Sequence, residues 1–177
     1  MDEVVQGLTV IFTGDGKGKT SAALGAVIRA LGHGFNCKII QFIKANRATG
    51  EILFLEKFAP QVEIEQFGKG FTWLKEHSME EHKAAAQEGL VVAGRDIASG
   101  KYGLVLLDEI LYALGKGLVD MQQIESLIHA KPKSMHLILT GRGAPRELID
   151  LADMVTNMEP IKHPMASGIK AQKGLDF

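Results

Sequence analysis

Several features that mark secreted, membrane or nucleic-acid-binding proteins are scarce in this chain of 177 residues. Its one cysteine, Cys37, excludes an internal disulfide framework and suits a reducing compartment. The net charge of −1 at pH 7 provides no overall field that would attract nucleic acid or an anionic membrane. No apolar run is long enough to cross a bilayer, and residues 1–7 lack the basic and apolar regions of a signal peptide. We therefore expect a cytoplasmic protein that binds neither membrane nor nucleic acid.

The remaining composition is that of an ordinary globular protein, with 46% hydrophobic and 23% charged residues. Apolar runs alternate with amphipathic segments along the whole chain, which predicts one α/β domain over residues 1–177 with a mostly parallel sheet flanked by helices. The expected strands are Leu8–Thr13, Lys38–Ile43, Val62–Gln66, Leu104–Leu107, Met135–Thr140 and Met154–Met158. The expected helices are Lys19–Leu31, Gly50–Phe58, a long one from the cap Ser78 to about Ser99, Asp120–Ala130 and Pro145–Ala152.

A glycine-rich turn follows the first predicted strand, in the run Val10-Ile-Phe-Thr-Gly-Asp-Gly-Lys-Gly-Lys-Thr-Ser21. Its three glycines permit positive backbone φ angles and a close approach of main-chain amides to a ligand. The amides of the turn and of the next helix start converge on anionic oxygens, helped by the helix dipole. Lys19 adds a point charge between phosphates, and the Thr20 hydroxyl is suited to Mg²⁺. The run predicts a phosphate loop; the rival interpretation is an ordinary strand–helix turn with a chance Lys-Thr pair.

An acidic pair, Asp108 and Glu109, ends the apolar strand Leu104–Leu107. A parallel strand delivers such carboxylates to the ligand-binding edge of the sheet, where they hold Mg²⁺ directly or through water. The sequence leaves open which of the two serves the metal. It also leaves open that one of them is only the N-cap of a helix beginning near Ile110.

Two further strands end in basic side chains that we expect at the same edge. Arg142 follows the strand Met135–Thr140 and is suited to grip phosphate oxygens, although a solvated arginine is an alternative. Lys44 follows the strand Lys38–Ile43 and is the better candidate there, whereas Arg47 is equally well explained as a solvated loop charge. We expect Arg29 and His163 to be surface or loop residues without a ligand.

The segment Phe67-Gly-Lys-Gly-Phe-Thr-Trp73 places three aromatic residues among two glycines ahead of the long helix. Such a loop suits a flat apolar ligand. The alternative is that Phe71 and Trp73 only pin the loop to the core, and the composition does not decide between the two.

Together these segments resemble the P-loop ATP:corrinoid adenosyltransferases nearly end to end and in order. In this family the first loop glycine stands one place later than in the general G-x-x-x-x-G-K-[ST] pattern, as Gly14 does here, and a Gly-Phe-Thr-Trp loop is typical. The matching segments are Gly14–Thr20, Val27–Gly34, Gln41–Lys44, Gly70–Trp73, Leu106–Glu109, Thr140–Gly143, Asp150–Asp153, Lys162–His163 and Gly168–Gln172.

The resemblance implies a RecA-like P-loop fold, usually a homodimer, that transfers the 5′-deoxyadenosyl group of ATP to a Co(I) corrinoid and releases triphosphate. It implies a grip on the γ-phosphate, and a reduced flavoprotein as electron donor. Phe71 and Trp73 would crowd the lower face of the corrin and exclude its axial base, which favours reduction. The implied ligands of the triphosphate are Gly16, Lys17, Gly18, the catalytic Lys19, Thr20 and Ser21. Gly14, Asp15, Lys44 and Arg142 are further candidates for the nucleotide site. Thr20 with Glu109 or Asp108 would hold Mg²⁺.

Two departures from the family pattern bear on this interpretation. Only about seven residues precede the first strand, whereas many relatives have a longer segment that helps to cover the corrinoid. Ser21 stands where many members carry a second threonine, and its hydroxyl still donates to phosphate. The rival functions are a kinase or ATPase acting at the γ-phosphate and a RecA-like nucleic-acid-binding module, against which the absence of a basic stripe counts.

Overall fold

The computed structural model describes residues 6–45, 49–74 and 76–176. In this part of the chain, six strands form one parallel sheet in the order β3-β2-β4-β5-β1-β6. The strands are β1 Thr9–Thr13, β2 Cys37–Gln41, β3 Val62–Gln66, β4 Leu104–Asp108, β5 His136–Thr140 and β6 Met154–Asn157.

Helices cover both faces of this sheet, as a parallel sheet requires. They are α1 Lys19–Gly32, α2 Gly50–Leu55, α3 Met79–Ala98, α4 Ile110–Gly115, α5 Met121–Ala130 and α6 Arg146–Leu151, with 3₁₀ turns at Glu56–Phe58, Thr72–Leu74 and Pro164–Ser167. Alternate strand residues enter two separate cores. One packs against α1 and contains Val10, Ile39 and Leu106, and the other packs against α3 to α5 and contains Ile40 and Leu107.

The predicted strands and helices are confirmed, with ends that move by one or two residues. The largest change is at β2, which ends at Gln41, although Phe42 and Ile43 stay buried beyond it. The predicted helix Gly50–Phe58 divides into α2 and a 3₁₀ turn. The two 3₁₀ turns at Thr72–Leu74 and Pro164–Ser167 were not predicted.

Local sequence explains where the longest helix begins. The Ser78 hydroxyl accepts a hydrogen bond from the Glu81 amide, and the Glu81 carboxylate accepts one from the Ser78 amide, so that the pair forms a capping box. The cap stabilises α3, whose buried face covers β2.

Cys37 is fully buried in β2, and burial raises the pKa of its thiol to about 12. A thiol with this pKa is not a nucleophile at neutral pH. No helix in the described part of the chain has the length and apolar character needed to cross a membrane.

The strand order places β5 between β1 and β4. The phosphate-loop strand and the acidic strand are therefore not neighbours, and the end of β5 lies between them. The carboxyl ends of all six strands share one edge of the sheet, where open α/β proteins bind ligands.

Candidate active site

The predicted phosphate loop connects β1 to α1 at this edge. Gly14 and Gly18 have φ angles of 99° and 110°, a region that side chains with a Cβ rarely adopt. A Cβ at Gly14 or Gly16 would collide with the backbone of Met158 or Glu159, and the Gly16 amide donates to the Met158 carbonyl at 2.8 Å. The chain after β6 thus supports the loop from one side.

Lys19 is 8% exposed and folds back over this loop. Its Nζ donates to the carbonyl oxygens of Gly14 and Gly16, both at 2.7 Å. Burial lowers the pKa of Lys19, an effect that the nearby Glu109 carboxylate opposes. The ammonium therefore has neutral main-chain partners, which anionic phosphate oxygens can replace with a gain in charge pairing.

Asp108 is fully buried at the end of β4, and its carboxylate contacts residues of α1, β2 and β5. Its Oδ1 accepts hydrogen bonds from Thr20 Oγ1 at 2.9 Å and Thr140 Oγ1 at 2.8 Å. Its Oδ2 accepts one from Gln41 Nε2 at 3.0 Å and lies 3.6 Å from Lys44 Nζ. The carboxylate thus joins the phosphate loop to the ends of β2, β4 and β5.

Glu109 follows in the left-handed region with a φ of 63°, and α4 begins at the next residue. The prediction of a helix near Ile110 is confirmed, but the Glu109 side chain makes no capping bond. Its amide donates to Thr140 Oγ1 at 2.9 Å. Burial raises the pKa of the Glu109 carboxyl, and the adjacent Asp108 charge adds to this. The positive charges of Lys19, Lys44 and Arg142 act to lower this pKa but do not fully compensate the carboxylate.

The two predicted basic residues, Lys44 and Arg142, both lie near enough to Glu109 for their charges to act against the rise of its pKa. Lys44 forms an ion pair with Glu51 at 3.0 Å, and although burial acts against its charge, Asp108 and Glu51 raise the pKa of Lys44 overall. Arg142 is exposed, and its guanidinium lies 3.7 Å from the Asp15 carboxylate at the phosphate loop. Arg47, the alternative to Lys44, lies outside the described residues.

The remaining loop residues face solvent or the C-terminal segment. Lys17 is half exposed and forms an ion pair with Asp176, and Ser21 is exposed on the first turn of α1. Arg29 is exposed as expected, and His163 Nδ1 accepts from the Met165 amide at 3.2 Å, which caps the turn Pro164–Ser167.

Phe71 and Trp73 stack on each other with ring centroids 4.1 Å apart and an angle of 14° between the planes. Phe71 packs against the edge of the core, as the pinning alternative expects, whereas Trp73 is 60% exposed. Both rings meet the edge of Tyr112 from α4.

A cleft of about 680 Å³ lies between the start of the phosphate loop and the ring of Trp73. Its lining includes Thr13, Gly14 and Asp15 together with Trp73 and Tyr112. The loop and the aromatic residues, which are far apart in sequence, therefore border the same space.

Comparisons with known proteins identify the family of this chain. The profile of the family described as ATP:corrinoid adenosyltransferase BtuR/CobO/CobP matches residues 5–177. The chain belongs to this family. It is 41% identical to a corrinoid adenosyltransferase of Pseudomonas aeruginosa over 97% of this chain and 84% of that protein. It is 38% identical to one of Salmonella typhimurium over 97% of this chain and 86% of that protein. The predicted family resemblance is thus confirmed.

This adenosyltransferase family member is a transferase whose substrates are ATP and a corrinoid. The crystal structure of the flagellar accessory protein FlaH from Methanocaldococcus jannaschii has a TM-score of 0.58 to it at 9% identity, and covers 87% of this chain and 72% of that one. This likeness bears on the fold alone, and it agrees with the predicted α/β fold.

Three residues of this adenosyltransferase site had no predicted role: Gln41, Thr140 and Tyr112. Gln41 and Thr140 are polar residues at the ends of buried strands, which is the available sequence signal for them. Tyr112 lies within an apolar helical segment and carries no such signal.

Proposed function

We propose that this chain transfers the 5′-deoxyadenosyl group of ATP to the cobalt of a Co(I) corrinoid and releases inorganic triphosphate. The observation that carries the proposal is the cleft shared by the phosphate loop and the aromatic residues. When the triphosphate of ATP lies on the loop, the ribose lies beside a corrin ring that packs against Trp73. Holding the two substrates in reacting positions in this way lowers a large part of the activation barrier of a two-substrate reaction.

The triphosphate binds in the loop through the residues named from the sequence, Gly14–Ser21. Lys19 exchanges its two carbonyl partners for phosphate oxygens, and its ammonium neutralises the charge of the leaving group as it departs. Lys44 and Arg142 flank the same site and add positive charge from either side.

The residues at the loop fit a magnesium ion, which binds hard oxygen ligands and keeps several waters. Within the described residues no group of three His, Cys, Asp or Glu side chains forms a metal cage, so phosphate oxygens would complete the set. Both oxygens of Asp108 already accept hydrogen bonds, and the bond from Thr20 Oγ1 to Oδ1 orients the Thr20 side chain. We therefore assign the metal contact to Thr20 and Glu109, with Asp108 as the residue that holds Thr20 in place. Bound Mg²⁺ supplies charge stabilisation for the triphosphate.

The reaction balances without a catalytic base. The electron pair of Co(I) forms the bond to C5′, the C5′–O bond breaks, and its pair leaves on the triphosphate, so that cobalt becomes formally Co(III). Phe71 and Trp73 occupy the lower face of the corrin and exclude the axial base, which makes Co(II) easier to reduce.

The expected partners and location are part of the same proposal. A reduced flavoprotein supplies the electron, two copies of the chain form a dimer, residues 1–177 act as one domain, and the enzyme works in the cytoplasm. The buried, unpaired Cys37 is compatible with that compartment. Sedimentation equilibrium measures the dimer, and a monomer at all concentrations would contradict it.

Incubation with Mg-ATP and a chemically reduced corrinoid under anaerobic conditions tests the activity. We expect the absorption spectrum of an adenosylcorrinoid, which light then destroys, and no such product from a Lys19→Met variant. Consumption of ATP without formation of any cobalt–carbon bond would contradict the proposal and favour a γ-phosphate ATPase.

A further inference from the structure

Tyr112 of α4 contacts the aromatic loop, residues 67–74, at the cleft. Its ring meets Phe71 at 5.6 Å and Trp73 at 5.9 Å, with interplanar angles of 84° and 80°. Its hydroxyl shares a hydrogen bond of 2.7 Å with Thr72 Oγ1. Three consecutive loop residues therefore contact one side chain from another element, in the edge-to-face geometry that aromatic pairs favour.

In the described part of the chain, few other hydrogen bonds hold the aromatic loop at this point. The Gly70 amide donates to the Ile43 carbonyl at 2.9 Å where the loop begins, and the Leu74 amide closes one 3₁₀ turn onto Phe71. Trp73 is mostly exposed, so burial alone does not hold its ring in place. A single short turn of this kind is easily displaced unless a side chain from elsewhere fixes it.

Helix α4, which carries Tyr112, is held firmly at the end of the sheet. Ile110 and Leu111 are buried, and the Glu109 amide that precedes them donates to Thr140. Gly141 lies so close that a Cβ there would come within 2.8 Å of the Tyr112 amide nitrogen. Tyr112 follows Glu109 by three residues, so its ring is fixed relative to the site that binds the triphosphate.

We propose that Tyr112 is a positioning residue that holds the Phe71–Trp73 stack against the wall of the cleft. It thereby keeps the two rings in the position in which they exclude the axial base of the corrinoid. The effect on the reaction rests on the proposed function, whereas the effect on the loop does not. Tyr112 itself acts through the two rings and has no chemical step of its own.

The first test uses the fluorescence of Trp73, which is the only tryptophan in the chain. In Tyr112→Leu we expect faster anisotropy decay on the nanosecond scale and an acrylamide quenching constant raised about twofold. Tyr112→Phe and Thr72→Val each remove the same hydrogen bond and keep the packing, so we expect smaller, similar changes. The double variant should show no more than either one alone.

Tyr102→Phe is the matched control, because the only other tyrosine also forms a hydrogen bond through its hydroxyl, which donates to Glu63 at 2.8 Å, away from Phe71 and Trp73. We expect Trp73 fluorescence to be unchanged in this variant. Should Tyr112→Leu fail to fold, the two conservative variants carry the test. Unchanged anisotropy and quenching in folded Tyr112 and Thr72 variants would overturn the proposal.

The second test separates the two halves of the reaction. In Tyr112→Leu we expect transfer from Co(II) with a reductase to fall about tenfold, and transfer from prereduced Co(I) to fall less than about threefold. Equal losses would overturn the role of Tyr112 in excluding the axial base. Failure of the wild-type protein to form any adenosylcorrinoid would contradict the proposed function instead, and the fluorescence result would still decide whether Tyr112 holds the loop.

Discussion

Two buried charged clusters in this protein have opposite characters. Lys38 is 1% exposed near the start of β2 and forms ion pairs with Glu65, with Asp96 at 3.1 Å and with Glu63 at 3.8 Å. Burial acts against its charge, but Glu65 and Asp96 raise the pKa of Lys38 overall. Lys19 at the other end of the sheet is also buried, has only main-chain carbonyl partners, and has a lowered pKa.

The difference separates a structural cluster from a binding site. The Lys38 cluster is charge-paired within the protein and has nothing to gain from a ligand. The pKa of Lys19 is lowered and that of Glu109 is raised, so the surroundings of both residues disfavour their charged forms. Neither charge is fully compensated by its neighbours. We propose that such a site is stabilised when the triphosphate of ATP pairs with Lys19 and a metal ion pairs with Glu109.

Replacement of each of the two lysines by methionine is the most direct test of this difference. Lys19→Met should lower the rate of adenosyl transfer by roughly 10³-fold, because the leaving triphosphate loses its main cation. Its free energy of unfolding should change by less than about 1 kcal/mol, since only neutral carbonyl partners are lost. Steady-state kinetics and urea unfolding measure both, and a large loss of stability with retained activity would contradict the assignment.

Lys38→Met should give the reverse result. Removal of the buried ammonium leaves Arg95 as the remaining cationic partner of Asp96 and Glu65, and we expect the free energy of unfolding to fall by about 2 kcal/mol. The transfer rate per folded molecule should stay within about twofold of wild type. Loss of activity in the folded variant would show that this cluster also serves the reaction.

The pH dependence of stability sharpens the same contrast. Burial alone would raise the pKa of Asp96, but hydrogen bonds from Arg95 and Lys38 lower it below its ordinary value of 3.8. The stabilisation is therefore present above that value and is lost as the pH falls through the lower pKa of the folded state. Urea unfolding between pH 6 and 3 should show a steeper acid-side loss in wild type than in Lys38→Met. Identical slopes would contradict the pairing.

The smallest expected effect is at the rim of the site. Arg142 and Asp15 are both exposed and 3.7 Å apart, so their ion pair adds little to stability. Arg142→Gln should raise the KM for ATP roughly threefold, with an unchanged unfolding midpoint. An unchanged KM would support the alternative from the sequence, a solvated arginine.

Much of the site was predictable because its parts follow from local order along the chain. A strand, a glycine-rich turn and Lys19-Thr20 form a phosphate loop from contiguous residues, and Asp108 reaches the same edge because it ends a buried strand. The match of the family profile to residues 5–177 then confirms the substrates that the resemblance implied.

The contacts that depend on strand order were not predictable. Thr140 reaches Asp108 because β5 lies between β1 and β4, and no local pattern encodes that order. Tyr112 contacts Thr72 across 40 residues of sequence. Lys38 lay within a correctly predicted strand, but its partners come from β3 and α3, so its charge had no visible compensation in the sequence.

The central claim is that the bond broken in ATP is the one at C5′, and an isotope label tests it most directly. ATP labelled with ¹⁸O at the 5′ oxygen is turned over with a prereduced corrinoid, and the products are examined by ³¹P NMR. We expect the label in inorganic triphosphate, in an amount equal to the adenosylcorrinoid formed. Label retained in ADP, with inorganic phosphate as the other product, would contradict the account.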